Sequence, residues 1–309
     1  MPGAYAHLTL VSLLDSPNAL AGLGGLSKQK LGPLLQYNKF FELGAVSPDY
    51  PYLSVINNSA KAWAEAMHSR RTGDRLKAGI QFVKEMSGPE KYKALAWLLG
   101  FASHIIADAT VHPVIELKVG PYVGHEKAHR TCEMHQDVFI YKLLDVGDIH
   151  LANFLQNGIA ACTQPGHADR LDSTVGMVWR YMLRTTDSEL YKNNLPKLHD
   201  WHRWFKDLIA AAAPGQLLPF SRHMALGDGY LYPTTPDNSY IDRLQTPNGS
   251  SGGWLSYLDI FRKAQANTRE YWAIIARACL AGDETGLPRI KNWSLDTGKD
   301  EAGILTFWG

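Results

Sequence analysis

Apolar stretches with a helical period alternate along the chain with shorter stretches punctuated by Gly and Pro. Ala4 to Leu14 is apolar with one titratable exception, His7. The Gly-, Leu- and Pro-rich run from Ser16 to Pro33 predicts a loop. Phe40 to Leu53 predicts a turn, because Gly44, Pro48 and Pro51 interrupt it, with Asp49 held between the prolines. Helices are predicted over Asn58–Arg70, Asp74–Met86, Pro89–His112 and His125–Leu144. The first of these puts Ala60, Trp63, Ala64 and Met67 on its apolar side, with His68 beside them. Pro113 is expected to end the third. From about Asp148 to Ala213 the pattern stays mostly helical and includes the aromatic, basic segment Leu198–Phe205. Between Pro214 and Gly253 the chain becomes loop-rich, and a last helix is predicted over Trp254–Ala281. No repeat, coiled coil or clean linker interrupts this order. The reading is all-α: one mostly helical domain over residues 1–309, with a loop-rich C-terminal elaboration over 214–309.

Composition narrows the function classes. Hydrophobic residues at 45% and charged residues at 20% are globular values. A formal net charge of +1 gives no electrostatic reason to expect a stable nucleic-acid partner. The many Trp and Tyr residues suit a core or the edge of a bilayer. Cys132, Cys162 and Cys279 are odd in number and include no CxxC, which fits a reducing compartment. The N-terminus lacks a basic start followed by an apolar core, and no apolar run approaches the ~20 residues that span a bilayer. The expectation is a soluble chain, cytoplasmic or exported by a route that needs no cleavable signal.

Three polar residues break the apolar run Leu99–Pro113: His104, Asp108 and His112. They are spaced by four, and at about 100° per residue each step turns only ~40° round a helix. All three therefore face one side. Imidazole nitrogens and a carboxylate held on a rigid helix suit zinc. Packed without partners, each would be costly to bury. The next helix repeats the spacing with His129, Glu133 and Asp137, an HxxxExxxD pattern. Charged residues at this spacing also occur on solvated faces. His125 and His135 are rival ligands, but i and i+4 favour His129 with Glu133.

Taken together, the SPDYPYL turn, the GFASHIIADATVHP helix and the HRTCEMHQD helix resemble the zinc-dependent phospholipase C family over roughly Gly3 to Asp145. The resemblance implies an all-helical enzyme with a metal cluster of two or three Zn2+ ions. It implies Asp49, His68, His104 and Asp108 as ligands of one zinc, and His112, His129 and Glu133 as ligands of a second. His7 and Asp108 would form part of a third, with Asp108 bridging. Here the central motif is Hx3Dx3H, where the secreted members have a longer gap before the last His. Asp137 would orient a ligand from behind. Asp49 is the residue expected as ligand or general base near the reacting water. Tyr50, Tyr52 and Tyr122 would line a headgroup pocket, because aromatic faces attract a quaternary ammonium. The implied reaction releases diacylglycerol and a phosphorylated headgroup, with phospholipid or a membrane surface as partner. The alternatives are a three-zinc single-strand nuclease and a non-catalytic, metal-stabilised toxin or interaction module.

Overall fold

A computed structural model describes residues 3–23, 26–54, 57–144, 155–210, 232–247 and 253–309. Everything in it is arranged round one long helix. Helices α1 (Ala4–Leu14), α2 (Pro17–Ala21), α3 (Lys28–Leu31) and α4 (Asn38–Val46) come first. A 3-10 helix over Ser47–Leu53 follows, then α5 (Asn58–Ser69), α6 (Thr72–Lys84), α7 (Gly88–Val119) and α8 (Glu126–Ile140). After these come α9 (Ser173–Thr186), α10 (Ser188–Asn193), α11 (Leu198–Ala210) and α12 (Tyr257–Ala281). The strands among the described residues form two small antiparallel pairs, Thr163–Gln164 with His167–Leu171 and Leu244–Gln245 with Trp254–Leu255. The all-α reading holds.

Helix α7 is buried without a break from Ala94 to Ile115. Apolar side chains on all its sides let α1, α4, α6, α9 and α12 pack round it. Its closest neighbour is α4. A Cβ on Gly44 would lie 2.1 Å from the Trp97 carbonyl oxygen, and one on Gly100 would lie 2.0 Å from that of Phe41. The two helices thus cross backbone against backbone, which only glycine at both positions allows. From the C-terminal side, the Trp272 and Trp308 indoles donate to the α7 carbonyls of Leu99 and Thr110, at 2.8 Å each.

Several sequence expectations are corrected. Pro113 does not end α7, which continues to Val119. Proline removes the N–H that would bond to the Ala109 carbonyl. Here that carbonyl and the Pro113 ring pack against Gly298, which has φ +70°, and Trp308 supplies a donor one residue on. Phe40 to Leu53 is α4 followed by the 3-10 helix, not a turn, because Gly44 marks the helix crossing. Within Ser16–Pro33 lie α2 and α3, capped by the side chains of Ser16 and Ser27. By length and composition α7 is apolar enough to cross a membrane, contrary to the sequence reading, yet its apolar window is wholly buried inside the protein. Parts of two other expectations fall outside the described residues: the helical pattern over 148–154 and 211–213, and the loop-rich stretch over 214–231 and 248–252.

Candidate metal centre

Four elements converge on one polar pocket in this apolar interior. Helix α1 brings His7, the 3-10 helix brings Asp49, α5 brings His68, and α7 brings His104 and Asp108. All five are buried. His104 donates from Nδ1 to the Ala45 carbonyl at 2.8 Å, and His68 from Nδ1 to the Ala64 carbonyl at 2.6 Å. A carbonyl only accepts, so each ring carries its proton on Nδ1 and turns Nε2 inward. The two Nε2 atoms stand 3.2 Å apart. In the neutral rings these are two lone pairs, which repel unless a proton or a metal ion lies between them.

The helix crossing explains His104. Ala45 lies in the last turn of α4, where carbonyls lack partners within the helix. Gly44 and Gly100 bring that turn close enough for the imidazole to use one.

The remaining separations fall in a narrow range. His68 Nε2 is 3.3 Å from Asp49 Oδ1, His104 Nε2 is 3.4 Å from Asp108 Oδ2, and His7 Nε2 is 3.1 Å from Asp108 Oδ1. Zinc bonds near 2.0–2.1 Å in a tetrahedron place neighbouring ligand atoms roughly 3.3 Å apart. The pocket therefore fits zinc. Two groups bring all their ligand atoms within 4.8 Å of one another: Asp49, His68 and His104, and His7, His104 and Asp108. The four expected ligands of the first zinc are thus divided, with His104 common to both groups. Asp108 presents one oxygen to His7 and the other to His104, and neither oxygen is in hydrogen-bond geometry with a donor. The His7 and His104 rings stack at 4.1 Å.

Charge is balanced inside the pocket. Burial works against ionising Asp108 and Asp49, but the nearby imidazoles overcome it and hold both carboxyls well below the usual carboxylate range. Burial also disfavours a charged His104, yet Asp108 and Asp49 outweigh it and raise its pKa. His7 goes down, through burial and the charge of His104.

This buried set of imidazoles and carboxylates has the donor chemistry of a zinc enzyme, and comparison with known protein families matches residues 6–214 to zinc dependent phospholipase C. The chain belongs to that family. No curated protein and no solved structure matches it. The family match runs past Asp145, where the resemblance read from the motifs stopped, and it implies zinc as the cofactor.

The second ligand set is looser. His112 Nε2 is 3.7 Å from Glu133 Oε1, and neither His112 nitrogen has a hydrogen-bond partner. His129 donates from Nε2 to the Gly120 carbonyl at 2.6 Å, which leaves Nδ1 as its free ligand atom, buried and unpartnered. The His112 and His129 rings lie edge to face at 6.3 Å. The rivals lie elsewhere. His125 is exposed with Nδ1 on the Pro121 carbonyl, and His135 accepts from the Asp237 N–H and stacks on Tyr240.

Asp137 acts on a backbone rather than on a ligand's ring. Its Oδ1 accepts from the Ala6 N–H at 2.9 Å and its Oδ2 from the Tyr232 hydroxyl at 2.8 Å. A Cβ on Gly3 would fall 1.8 Å from Oδ2. Asp137 thus holds the N-terminal turn of α1, one residue before His7. Burial pushes its carboxyl up to about 7. No local pattern announces Tyr232, because it meets Asp137 only through the tertiary fold.

The three tyrosines divide. Tyr50 is buried in the core, 5.2 Å from the Phe205 ring and bonded to His202, so packing accounts for it. Tyr52 lies 5.5 Å from the His68 ring, and half-buried Tyr122 meets His129 edge-on at 5.3 Å.

Proposed function

We propose that this family member is a phospholipase C, cleaving a glycerophospholipid to diacylglycerol and a phosphorylated headgroup with two or three zinc ions. The observation that carries the reading is the pair of inward-facing imidazoles, His68 and His104, with their Nδ1 protons fixed on carbonyls. His7, Asp49, His68, His104, Asp108, His112, His129 and Glu133 would hold the metal. Bound zinc supplies Lewis acidity toward the phosphate and a lowered pKa for water.

The chain's own residues prepare for this. Asp49 stays ionised, so it serves better as an anionic ligand than as a proton acceptor, because a strongly depressed pKa makes a weak base. Asp108, with oxygens toward both His7 and His104, would be the ligand shared between ions. Tyr52 and Tyr122 stand beside His68 and His129, where aromatic faces would attract a choline-like ammonium. Apolar packing round α7 keeps bulk water from the ligands.

Metal content, measured with hydrolysis of a choline phospholipid and of single-stranded DNA before and after chelation, tests this. Two or three zinc ions and chelator-sensitive release of phosphocholine are expected. Zinc with DNA cleavage would move the chain to the nuclease reading. Zinc with neither activity would make the centre structural.

A further inference from the structure

Arg130 follows His129 in α8 and precedes Glu133 by three. At about 100° per residue, 129, 130, 133 and 137 lie within roughly 100° of one another round the helix. All four are buried, Arg130 to 4% exposure. Its Nε and Nη1 have no hydrogen-bond partner. Glu126, one turn earlier, feels its charge, but that carboxylate is engaged with the Gly124 N–H.

The molecule contains its own comparison. Arg75 is also fully buried, and its guanidinium meets Asp187 Oδ2 at 2.6 Å and backbone carbonyls of Ala66, Met67 and Arg70. That is how this fold satisfies a structural arginine: both terminal nitrogens are bonded, although the Arg75 Nε, like that of Arg130, is without a partner. Arg130 has no such set. A guanidinium stays charged at every physiological pH, and burying it without a counter-charge is strongly unfavourable. Among the described residues no side chain bonds the Nε or Nη1 of Arg130, and the one carboxylate shown to sense its charge, Glu126, is bonded elsewhere, which points to an anion from outside the protein. Beside His129 and Glu133, the anion that fits is a phosphate, whose oxygens match the guanidinium fork.

We propose that Arg130 binds a non-bridging phosphate oxygen of the phosphodiester substrate, on the flank of the His112, His129 and Glu133 group. The substrate assignment rests on the proposed phospholipase reading; the anion site does not.

The test uses zinc-loaded full-length protein with inorganic phosphate as the probe. Phosphate affinity is measured by calorimetry for wild type, Arg130→Lys and Arg130→Met. Loss of charge-assisted bonds should weaken binding about tenfold or more in Arg130→Met, and less in Arg130→Lys, at unchanged zinc content. Without phosphate, Arg130→Met should melt no lower than wild type, because an unpaired buried charge has been removed. KM for a phosphodiester should rise in parallel. Equal phosphate affinity in wild type and Arg130→Met would overturn the proposal, as would a wild type that binds no phosphate. If Arg130→Met fails to fold, Arg130→Lys decides by the same affinity comparison. Phosphate binding through Arg130 with no turnover of any phosphodiester would reject the enzyme reading and keep the anion site.

Discussion

His68 and His104 point their Nε2 atoms at each other across 3.2 Å, each with its Nδ1 proton committed to a backbone carbonyl. A proton or a metal ion between them relieves the repulsion of the neutral rings, and zinc does so while also engaging the carboxylates. Zinc added to chelator-treated protein should therefore raise the melting temperature. At free zinc a hundredfold above Kd the gain is about 2.7 kcal/mol. His68→Ala and His104→Ala should each lose most of that rise. Unchanged zinc stabilisation in both variants would refute the assignment.

Asp108 and Asp49 should respond differently to loss of charge. Asp108 presents its two oxygens to different histidines, so Asp108→Asn should lose zinc and turnover together. Asp49 belongs to one of the two groups, with His68 and His104, and does not join them to His7, so Asp49→Asn should fold normally and lose turnover. Metal analysis paired with initial rates separates the two. Wild-type hydrolysis by metal-free Asp108→Asn would end the cluster account.

The contacts of Asp137 predict an effect on stability. Asp137→Ala removes an acceptor from both the Tyr232 hydroxyl and the Ala6 N–H, which keeps its bond to the Gly3 carbonyl, and should cost about 1–3 kcal/mol in all. Tyr232→Phe removes one of the two bonds and should cost less. Gly3→Ala should also destabilise, since its Cβ has no space. Denaturant melts read all three, and a neutral Asp137→Ala would show that α1 needs no such anchor.

Away from the metal centre, Asp15 and Glu42 predict a pH dependence. Burial pushes Asp15 up to about 7, and burial plus the charge of Asp15 pushes Glu42 up to about 8. Both pKa values are raised in the fold, so the fold prefers the neutral acids. The stability they contribute is complete below about pH 4, where the unfolded chain is also protonated, and declines as pH rises through 7 to 8. The loss is on the order of several kcal/mol for the pair. Asp15→Asn and Glu42→Gln should melt higher than wild type at pH 8.5 and close to it at pH 4. Parallel melting curves across that range would contradict the shifts.

Much of the centre was legible because helical spacing is local information. His104, Asp108 and His112 lie on one stripe whatever surrounds the helix, and the long helix that carries them was legible for the same reason. What depends on contacts between distant segments was hidden. Pro113 read as a stop, since nothing nearby in sequence shows that Gly298 and Trp308 accommodate it. Tyr50 read as pocket lining by its nearness to Asp49, whereas its ring turns to α11. Asp137 belonged to the right motif, but its partners come from residues 6 and 232. Arg130 carries a local signal of its own: a charged residue inside the face that carries the ligands.

The crossing of Gly44 and Gly100 bears on transplanting this centre to another scaffold. Copying His104, Asp108 and His112 onto a new helix would reproduce the stripe but not the Ala45 carbonyl that fixes the His104 proton. The grafted imidazole could then offer either nitrogen, in either of two ring orientations, and the site would lose definition with every ligand residue present. The portable unit is two helices in backbone contact, and a library that varies only the histidines and carboxylates would omit the glycines that decide which nitrogen faces the ion.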